Sequence, residues 1–218
     1  MTCKLNADTS DGLKIVSDTS GAIDFQSNGS TKMSMDASGN LTATSFVGTG
    51  LVKLAGETLS SDASSIEISA STLTTSYTNY EFYLNLKPKT DGGIVFLRLR
   101  DNTATLLNVV SDYSIRANRG GGSYLNDTSV SALTIVSGTG NASGENEFVR
   151  YTIADIRTSD RRTCIQFDSG GTTTAGSIHG CYGNFITNVA EDNQGIQITF
   201  SSGDIASGSS YVLYGVKG

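Results

Sequence analysis

The sequence predicts an all-β protein, in which a short N-terminal β-meander or stalk segment precedes an antiparallel jelly-roll sandwich. Strand-length stretches alternate apolar and polar residues, and clusters of Ser, Asp, Asn and Gly separate them, as expected of half-buried strands joined by turns. No stretch of about 12 residues has the i, i+3, i+4, i+7 spacing of an amphipathic helix. The composition, with 25 glycines and only 17% charged residues, also suits a β-protein with many turns.

Residues 1–47 repeat one small unit, a strand-length stretch closed by a polar turn that contains Gly. Each stretch offers only a few apolar side chains to one face. A meander this thin cannot outweigh the entropy lost on ordering, so we expect residues 1–50 to form an attachment or stalk segment that folds against copies of itself. The apolar side chains expected to be partly buried between subunits are Leu13, Ile15, Ile23, Phe25, Met33, Met35 and Leu41.

The chain changes character beyond residue 50. Residues 51–65 are polar and are expected to form a connector, whereas residues 66–218 have longer and richer strands and are expected to form the head domain. The strands predicted in the head cover about 66–71, 78–87, 93–101, 106–116, 129–137, 147–157, 163–168, 177–188, 195–201 and 210–216. So many strands without a helix predict a sandwich or jelly roll.

Charge and hydropathy exclude two classes of partner. The net charge of -6 argues against nucleic-acid binding, which needs a basic face. No apolar run approaches the roughly 20 residues that span a bilayer, so we expect no membrane insertion. The first five residues lack the apolar core of a signal peptide, so we also expect no export signal.

His179 is the sole histidine, so any His-based chemistry must pass through it. Alternation places His179 and Cys181 on one face of a strand, which permits a Cys–His dyad. The preferred interpretation is a packed or interface histidine whose ring bonds a neighbouring carbonyl. Cys164 and Cys181 are interpreted as reduced core residues rather than a disulfide. Glu145 and Glu147 flank a loop and are expected to be solvated.

The motifs predict no enzyme, no bound metal and no cofactor. The Gly-rich stretch at 119–123 lacks the strand–loop–helix context of a phosphate-binding loop, and no acidic cluster has the spacing of a metal-binding loop. A polysaccharide depolymerase is the enzymatic alternative, because scattered carboxylates can converge in space. These carboxylates are Asp101, Asp112, Asp155, Asp160 and Asp168.

Tyrosines and long loops are the candidate binding features. Five tyrosines can stack on sugar rings as in carbohydrate-binding sandwiches, although a core position is the preferred interpretation for each. They are Tyr77, Tyr80, Tyr83, Tyr113 and Tyr124. Tyr80 and Tyr83 lie on one strand with opposite facing, so at most one of them faces solvent. The Gly-, Ser- and Asn-rich stretches at 119–123 and 137–146 have the composition of adaptable binding tips.

Two segments at opposite ends of the chain resemble bacteriophage proteins. Residues 12–29 read GLKIVSDTSGAIDFQSNG, which resembles the opening of small structural proteins of tailed bacteriophages, namely fibre, spike and capsid-decoration subunits. Residues 208–217 read GSSYVLYGVK, which is similar to the last strand of phage fibre heads. The matches cover only these two ends, and the resemblance implies no catalytic residues.

The resemblance implies a homotrimer, with an N-terminal segment that docks on other virion proteins and a jelly-roll head. The seven apolar residues named for 1–50 are then the trimer-interface candidates. We expect a virion structural protein, a short fibre or spike on the surface of the phage particle that is assembled in the host cytoplasm and contacts a host-surface glycan or protein. The alternatives are a capsid-decoration (cement) protein that stabilises the head, and a polysaccharide-binding or depolymerising tailspike.

Overall fold

The computed structural model describes residues 23–38, 41–43, 50–119, 123–134 and 138–217. These ranges contain β-strands and no helix, and the paired strands are antiparallel. The prediction of an all-β chain is therefore confirmed for the described residues. The chain divides into two compact units, Met1–Gly48 and Thr49–Gly218. In the described part of the chain, no helix is long and apolar enough to cross a membrane.

Unit 1 contains a three-stranded sheet in the order β1 (Ile23–Ser27), β2 (Ser30–Met35) and β3 (Leu41–Ala43). The turn between β1 and β2 consists of Asn28 and Gly29, whose φ angles are 55° and 75°. Both angles are in the left-handed region, which a two-residue type I′ hairpin turn requires and which Asn-Gly adopts readily. The sequence at this turn therefore fixes the β1–β2 hairpin.

Four of the interface candidates lie on paired positions of this hairpin. Ile23 pairs with Met35, and Phe25 pairs with Met33. Ile23, Met33 and Met35 are half-buried within the unit, and Phe25 is 40% exposed. These side chains therefore keep apolar surface that a neighbouring subunit can cover, and their burial between subunits stays a prediction.

The structure says less about the other three interface candidates. Leu41 begins β3 and pairs with Met35 through the backbone. Leu13 and Ile15 lie outside the described residues. The expectation that they contribute to a subunit interface therefore also stays a prediction.

Unit 2 is built from two antiparallel sheets. Its strands are β4 (Gly50–Thr58), β5 (Ile66–Ser69), β6 (Asn79–Leu86), β7 (Val95–Arg100), β8 (Tyr113–Arg119), β9 (Ser123–Val130), β10 (Leu133–Thr134), β11 (Glu147–Ala154), β12 (Cys164–Thr172), β13 (Ile178–Thr187), β14 (Gly195–Phe200) and β15 (Ser210–Lys217). The larger sheet has eight strands in the order β4-β15-β6-β11-β12-β13-β8-β9, and the smaller has four in the order β10-β7-β14-β5.

The inner faces of both sheets contribute to one hydrophobic core. In β6 the side chains at alternate positions are fully buried, as they are in β7 and β14. Examples are Phe82 and Leu84 from the larger sheet and Leu97 and Ile198 from the smaller one. Burial of each large apolar side chain is worth about 1.5–3 kcal/mol, so this shared core stabilises the packed pair of sheets.

Residues 51–65, expected to form a connector, contain most of β4. This strand pairs with β15 along its whole length, with a register irregularity between Leu213 and Tyr214. Its first four side chains are exposed, and the next three are only half-buried. Because β4 is an edge strand ordered by backbone pairing rather than by burial of its own side chains, its sequence lacks a strong apolar alternation.

The strand predicted at 106–116 begins only at Tyr113. The Tyr113 hydroxyl accepts a hydrogen bond from the backbone N–H of Leu99 (2.8 Å) and donates one to the carbonyl of Leu107 (3.0 Å), which holds the preceding residues as a loop over the core. The strand predicted at 129–137 is also misplaced, because β9 covers Ser123–Val130 and β10 only Leu133–Thr134. Asn and Asp inside β9 disfavour strands, so its sequence resembles a loop.

Candidate functional site

One row of side chains crosses the outer face of the eight-stranded sheet, and we call it the tyrosine row. In register across six neighbouring strands, it consists of Tyr83 (β6), Arg150 (β11), Asp168 (β12), Tyr182 (β13), Asn118 (β8) and Tyr124 (β9). Neighbouring strands lie about 4.8 Å apart, so the row spans about 24 Å. Tyr124 is 76% exposed and Tyr182 is 60% exposed, which is unusual for large aromatic side chains.

Contacts with neighbouring side chains hold five of the six members of the tyrosine row. Arg150 Nε lies 2.9 Å from Asp168 Oδ1, so the two charges are paired. Asn118 Nδ2 donates to the Tyr182 hydroxyl at 3.2 Å. Tyr83 meets Tyr214 edge to face, with ring centroids 6.1 Å apart. The row therefore offers exposed rings at defined positions, interleaved with planar polar groups.

A groove of about 530 Å³ runs beside the tyrosine row across β11, β12, β13, β8 and β9. Five of its polar side chains lie in one register row on the outer face, namely Thr152, Gln166, Asn184, Arg116 and Asn126. Amide and guanidinium groups supply several donors and acceptors in fixed planes. Together with the exposed rings, they suit a ligand that has both apolar faces and many hydroxyl groups.

A buried polar cluster occupies the inner face of the same strands. Glu147 on β11 is fully buried, and its Oε2 lies 2.7 Å from His179 Nε2 on β13. The Thr139 hydroxyl donates to the same oxygen at 3.1 Å, which ties residues 138–146 to the sheet. Glu147, Gly171 and His179 are in register on three adjacent strands, so the carboxylate reaches across β12. A Cβ on Gly171 would lie 2.1 Å from Glu147 Oε2, so only glycine permits this contact.

Burial dominates the electrostatics of this cluster. It raises the pKa of Glu147, because the charged carboxylate is desolvated, and the neighbouring His179, Thr139 and Ser169 offset this only in part. Burial also raises the pKa of Tyr151 well above its usual range, with Glu147 and Cys181 adding to the effect. The Glu147 carboxyl therefore holds its proton more tightly than an exposed carboxyl does.

Two expectations about this cluster need correction. Glu147, expected to be solvated, is buried because it shares the inner face of β11 with Val149 and Tyr151. His179 is packed as expected, but its partner is a carboxylate rather than a carbonyl. Alternation along β11 already placed Glu147 on the inner face, so the signal was present in the sequence.

Cys181 is buried, whereas Cys164 lies exposed on the outer face of β12 rather than in the core.

The candidate tyrosines separate by face. Tyr80 and Tyr113 are buried in the core, and Tyr77 packs against it, as interpreted from the sequence. Tyr83 lies on the outer face opposite to Tyr80, as the alternation predicted, and Tyr124 is exposed. The preferred core interpretation is therefore wrong for Tyr83 and Tyr124. Tyr182, which completes the tyrosine row, was not among the candidates, although its alternation with Cys181 indicated an outward position.

The scattered carboxylates are held in separate local contacts. Asp155 pairs with Arg161 at 3.3 Å, and Asp168 pairs with an arginine of the tyrosine row. Asp101 and Asp112 each accept a backbone hydrogen bond of 2.8 Å from a residue of their own loop, and Asp160 is exposed. Among the residues that the structure describes, no group of three or more His, Cys, Asp or Glu side chains could hold a metal ion.

No protein-family model matches the chain, and no curated protein matches it either. The functional proposal therefore rests on the two faces of the eight-stranded sheet. The outer face presents the tyrosine row and the adjoining groove, and the inner face holds the Glu147–His179 pair. Only the outer face is open to a large ligand.

Proposed function

We propose that this chain is a structural protein of a tailed-phage virion, a short trimeric fibre or spike that attaches the particle to the host surface. The observation that carries the attachment role is the tyrosine row, in which exposed rings alternate with an ion pair and an amide on one face. The similarity of both chain ends to phage proteins supports the virion role. The row is the proposed contact with a host-surface glycan.

The chemistry of the tyrosine row favours a glycan over a protein ligand. Pyranose rings have an apolar face that stacks on aromatic side chains and an edge of hydroxyl groups that bonds amides and charged groups. Tyr182 and Tyr124 lie two strands apart, about 9.6 Å, with Asn118 between them. This spacing suits an extended oligosaccharide whose successive units contact successive rings.

We also propose that unit 2 is a jelly roll with added strands. In support, β4-β15-β6-β11 and β5-β14-β7-β10 are two runs of four. The chain passes from one sheet to the other eight times, between β4 and β5, β5 and β6, β6 and β7, β7 and β8, β9 and β10, β10 and β11, β13 and β14, and β14 and β15. The remaining strands, β12, β13, β8 and β9, extend the larger sheet beyond β11. They carry Asp168, Tyr182, Asn118 and Tyr124, so the added strands provide most of the tyrosine row.

The proposal of a trimer predicts the mass of the oligomer in solution. Light scattering at micromolar concentration should give three times the chain mass of 22.8 kDa. The physical reason is that the hairpin of unit 1 keeps apolar side chains such as Phe25 partly exposed, and their burial needs a partner. A mass equal to one chain would contradict the trimer and the stalk role of residues 1–50.

Removal of the two most exposed rings of the tyrosine row tests the attachment role. The double variant Tyr124→Ala/Tyr182→Ala should bind host cells at least about tenfold more weakly, because both ring contacts with the ligand are lost and about 1.4 kcal/mol already corresponds to a tenfold change in affinity. Fluorescently labelled protein on a panel of bacterial strains provides the measurement. Val110→Ala and Val189→Ala, which shorten exposed apolar side chains outside the row, are the matched controls.

Equal binding by the double variant and the controls would reject the tyrosine row as the attachment surface. If the wild-type protein neither binds cells nor blocks phage adsorption, capsid decoration replaces attachment. Virion imaging then provides an independent check, since decoration places the protein on the capsid lattice and attachment places it on the tail.

A further inference from the structure

Two glycines leave bare backbone on the outer face of the eight-stranded sheet. Phe148 on β11, Gly170 on β12 and Gly180 on β13 are in register, one row along from the tyrosine row. A Cβ on Gly170 would have only the carbonyl oxygen of His179 within 4 Å, at 3.7 Å, and one on Gly180 only that of Ser169, at 3.4 Å. No described side chain therefore covers these two stretches of backbone.

Exposed side chains border three sides of this bare backbone. Phe148 is 44% exposed at one side. Ile178 and Tyr182, two residues before and after Gly180, are 91% and 60% exposed. The Arg150–Asp168 ion pair of the tyrosine row continues the side formed by Tyr182, because the three residues share one register row. We call the space above Gly170 and Gly180, bounded by these side chains, the glycine trough.

The two glycines have no packing reason to be glycine. Gly171 and Gly183 face inward, and a Cβ at either would clash at 2.1 Å with Glu147 Oε2 or at 2.4 Å with the carbonyl oxygen of Arg116. Gly170 and Gly180 have room for a side chain and no positive φ. Glycine inside a strand weakens the strand, and a common reason to keep it is the close approach of a ligand.

We infer that the glycine trough binds one pyranose ring of a neutral glycan, an inference that rests on the proposed glycan-binding function. The flat backbone lets a ring reach van der Waals contact with the sheet, and Phe148 and Ile178 cover its apolar C–H groups. Its hydroxyl groups meet Arg150, Asp168 and the Tyr182 hydroxyl at the border with the tyrosine row. The trough thereby extends the row into a two-dimensional site.

The charges at the trough select a neutral sugar. Arg150 and Asp168 compensate each other at 2.9 Å, so the described residues that border the trough offer no unpaired cation to a carboxylate or sulfate group. An anionic sugar would have to separate this pair and would then face the Asp168 carboxylate. The net charge of -6 on the chain acts in the same direction.

The buried cluster beneath the trough keeps its floor in place. Gly171 follows Gly170 on β12 and faces the opposite side, where Glu147 crosses it to reach His179. The contact joins the same three strands that carry Phe148 and the two floor glycines. A floor held in this way is organised before the ligand binds, which lowers the entropy lost on binding.

Filling the trough tests the inference. Gly170→Thr and Gly180→Thr should fold normally, because the new side chains enter open space and threonine favours strands. Each should weaken binding of neutral tetrasaccharides (maltotetraose, cellotetraose and chitotetraose) at least about tenfold in calorimetric titrations, because a side chain occupies the ring position. Gly50→Thr on β4 of the same sheet, where a Cβ has nothing within 4 Å, is the matched control and should bind like the wild type.

The outcomes separate the trough from the attachment role. Unchanged tetrasaccharide binding by both threonine variants overturns the trough, while the tyrosine-row variant still tests attachment independently. Tighter binding of tetragalacturonate than of the neutral panel overturns the neutral class. Wild-type protein that binds cells but none of the neutral sugars also overturns the inference and leaves attachment standing. If either variant lowers the mass of the oligomer measured by light scattering, the trough is a subunit contact, and the sugar-site inference is overturned.

Discussion

Replacement of Gly171 by alanine is expected to lower the free energy of unfolding by about 2–4 kcal/mol. The new Cβ would lie 2.1 Å from Glu147 Oε2 and 2.7 Å from the carbonyl oxygen of Asn146, so the carboxylate must move away from His179. A buried carboxylate separated from its partner keeps its desolvation penalty without the compensating contact. Urea unfolding followed by circular dichroism measures the loss.

The neighbouring glycine provides the control for this substitution. Gly170→Ala alters the same strand one residue away, but its Cβ enters open space on the outer face, so its stability should equal or exceed that of the wild type. In a Glu147→Ala background, Gly171→Ala should cost less, and the residual loss reports the contact with the Asn146 carbonyl. Equal losses from Gly171→Ala and Gly170→Ala would show that the effect belongs to the strand backbone rather than to the buried pair.

Alternation predicted the strands that bury their own side chains. In β6 and β14 every second residue enters the core, so the period-two pattern is strong and the predicted ranges lie within about two residues of the observed ones. β4 and β9 were missed because they are the two edge strands of the larger sheet, and pairing with β15 and β8 orders them. Edge strands need little apolar surface, so their sequences resemble polar connections.

The candidate site depends on strand order, which the sequence pattern does not contain. Alternation assigned His179 to the face of Cys181, whereas Glu147 was expected to be solvated. The two residues lie 32 positions apart on strands that are not adjacent. Their contact follows from the order β11-β12-β13 and from the glycine between them. The tyrosine row likewise takes one residue from each of six strands, so the sequence can give the face of each member but not its neighbours.

The Glu147–His179 pair should make stability depend on pH in a defined direction. Burial raises the pKa of Glu147 above its ordinary value of 4.5, so the folded chain binds this proton more tightly than the unfolded chain does. The contribution of this group to stability is therefore fully present below the unfolded pKa and is lost as the pH rises through the folded pKa. Each tenfold difference in proton affinity between the two states is worth about 1.4 kcal/mol.

Glu147→Gln removes this titration while an amide of similar shape keeps a hydrogen-bonding group beside His179. Urea titrations between about pH 4 and pH 8 should show that the stability of this variant, relative to that of the wild type, increases as the pH rises. Glu57→Gln, the same substitution at an exposed carboxyl, is the control variant. His179→Gln should steepen the dependence, because His179 lowers the pKa of Glu147 and its loss allows that pKa to rise further. If Glu147→Gln and the wild type keep parallel pH profiles, the buried carboxyl does not titrate in this range, and the pair acts only as a fixed contact between strands.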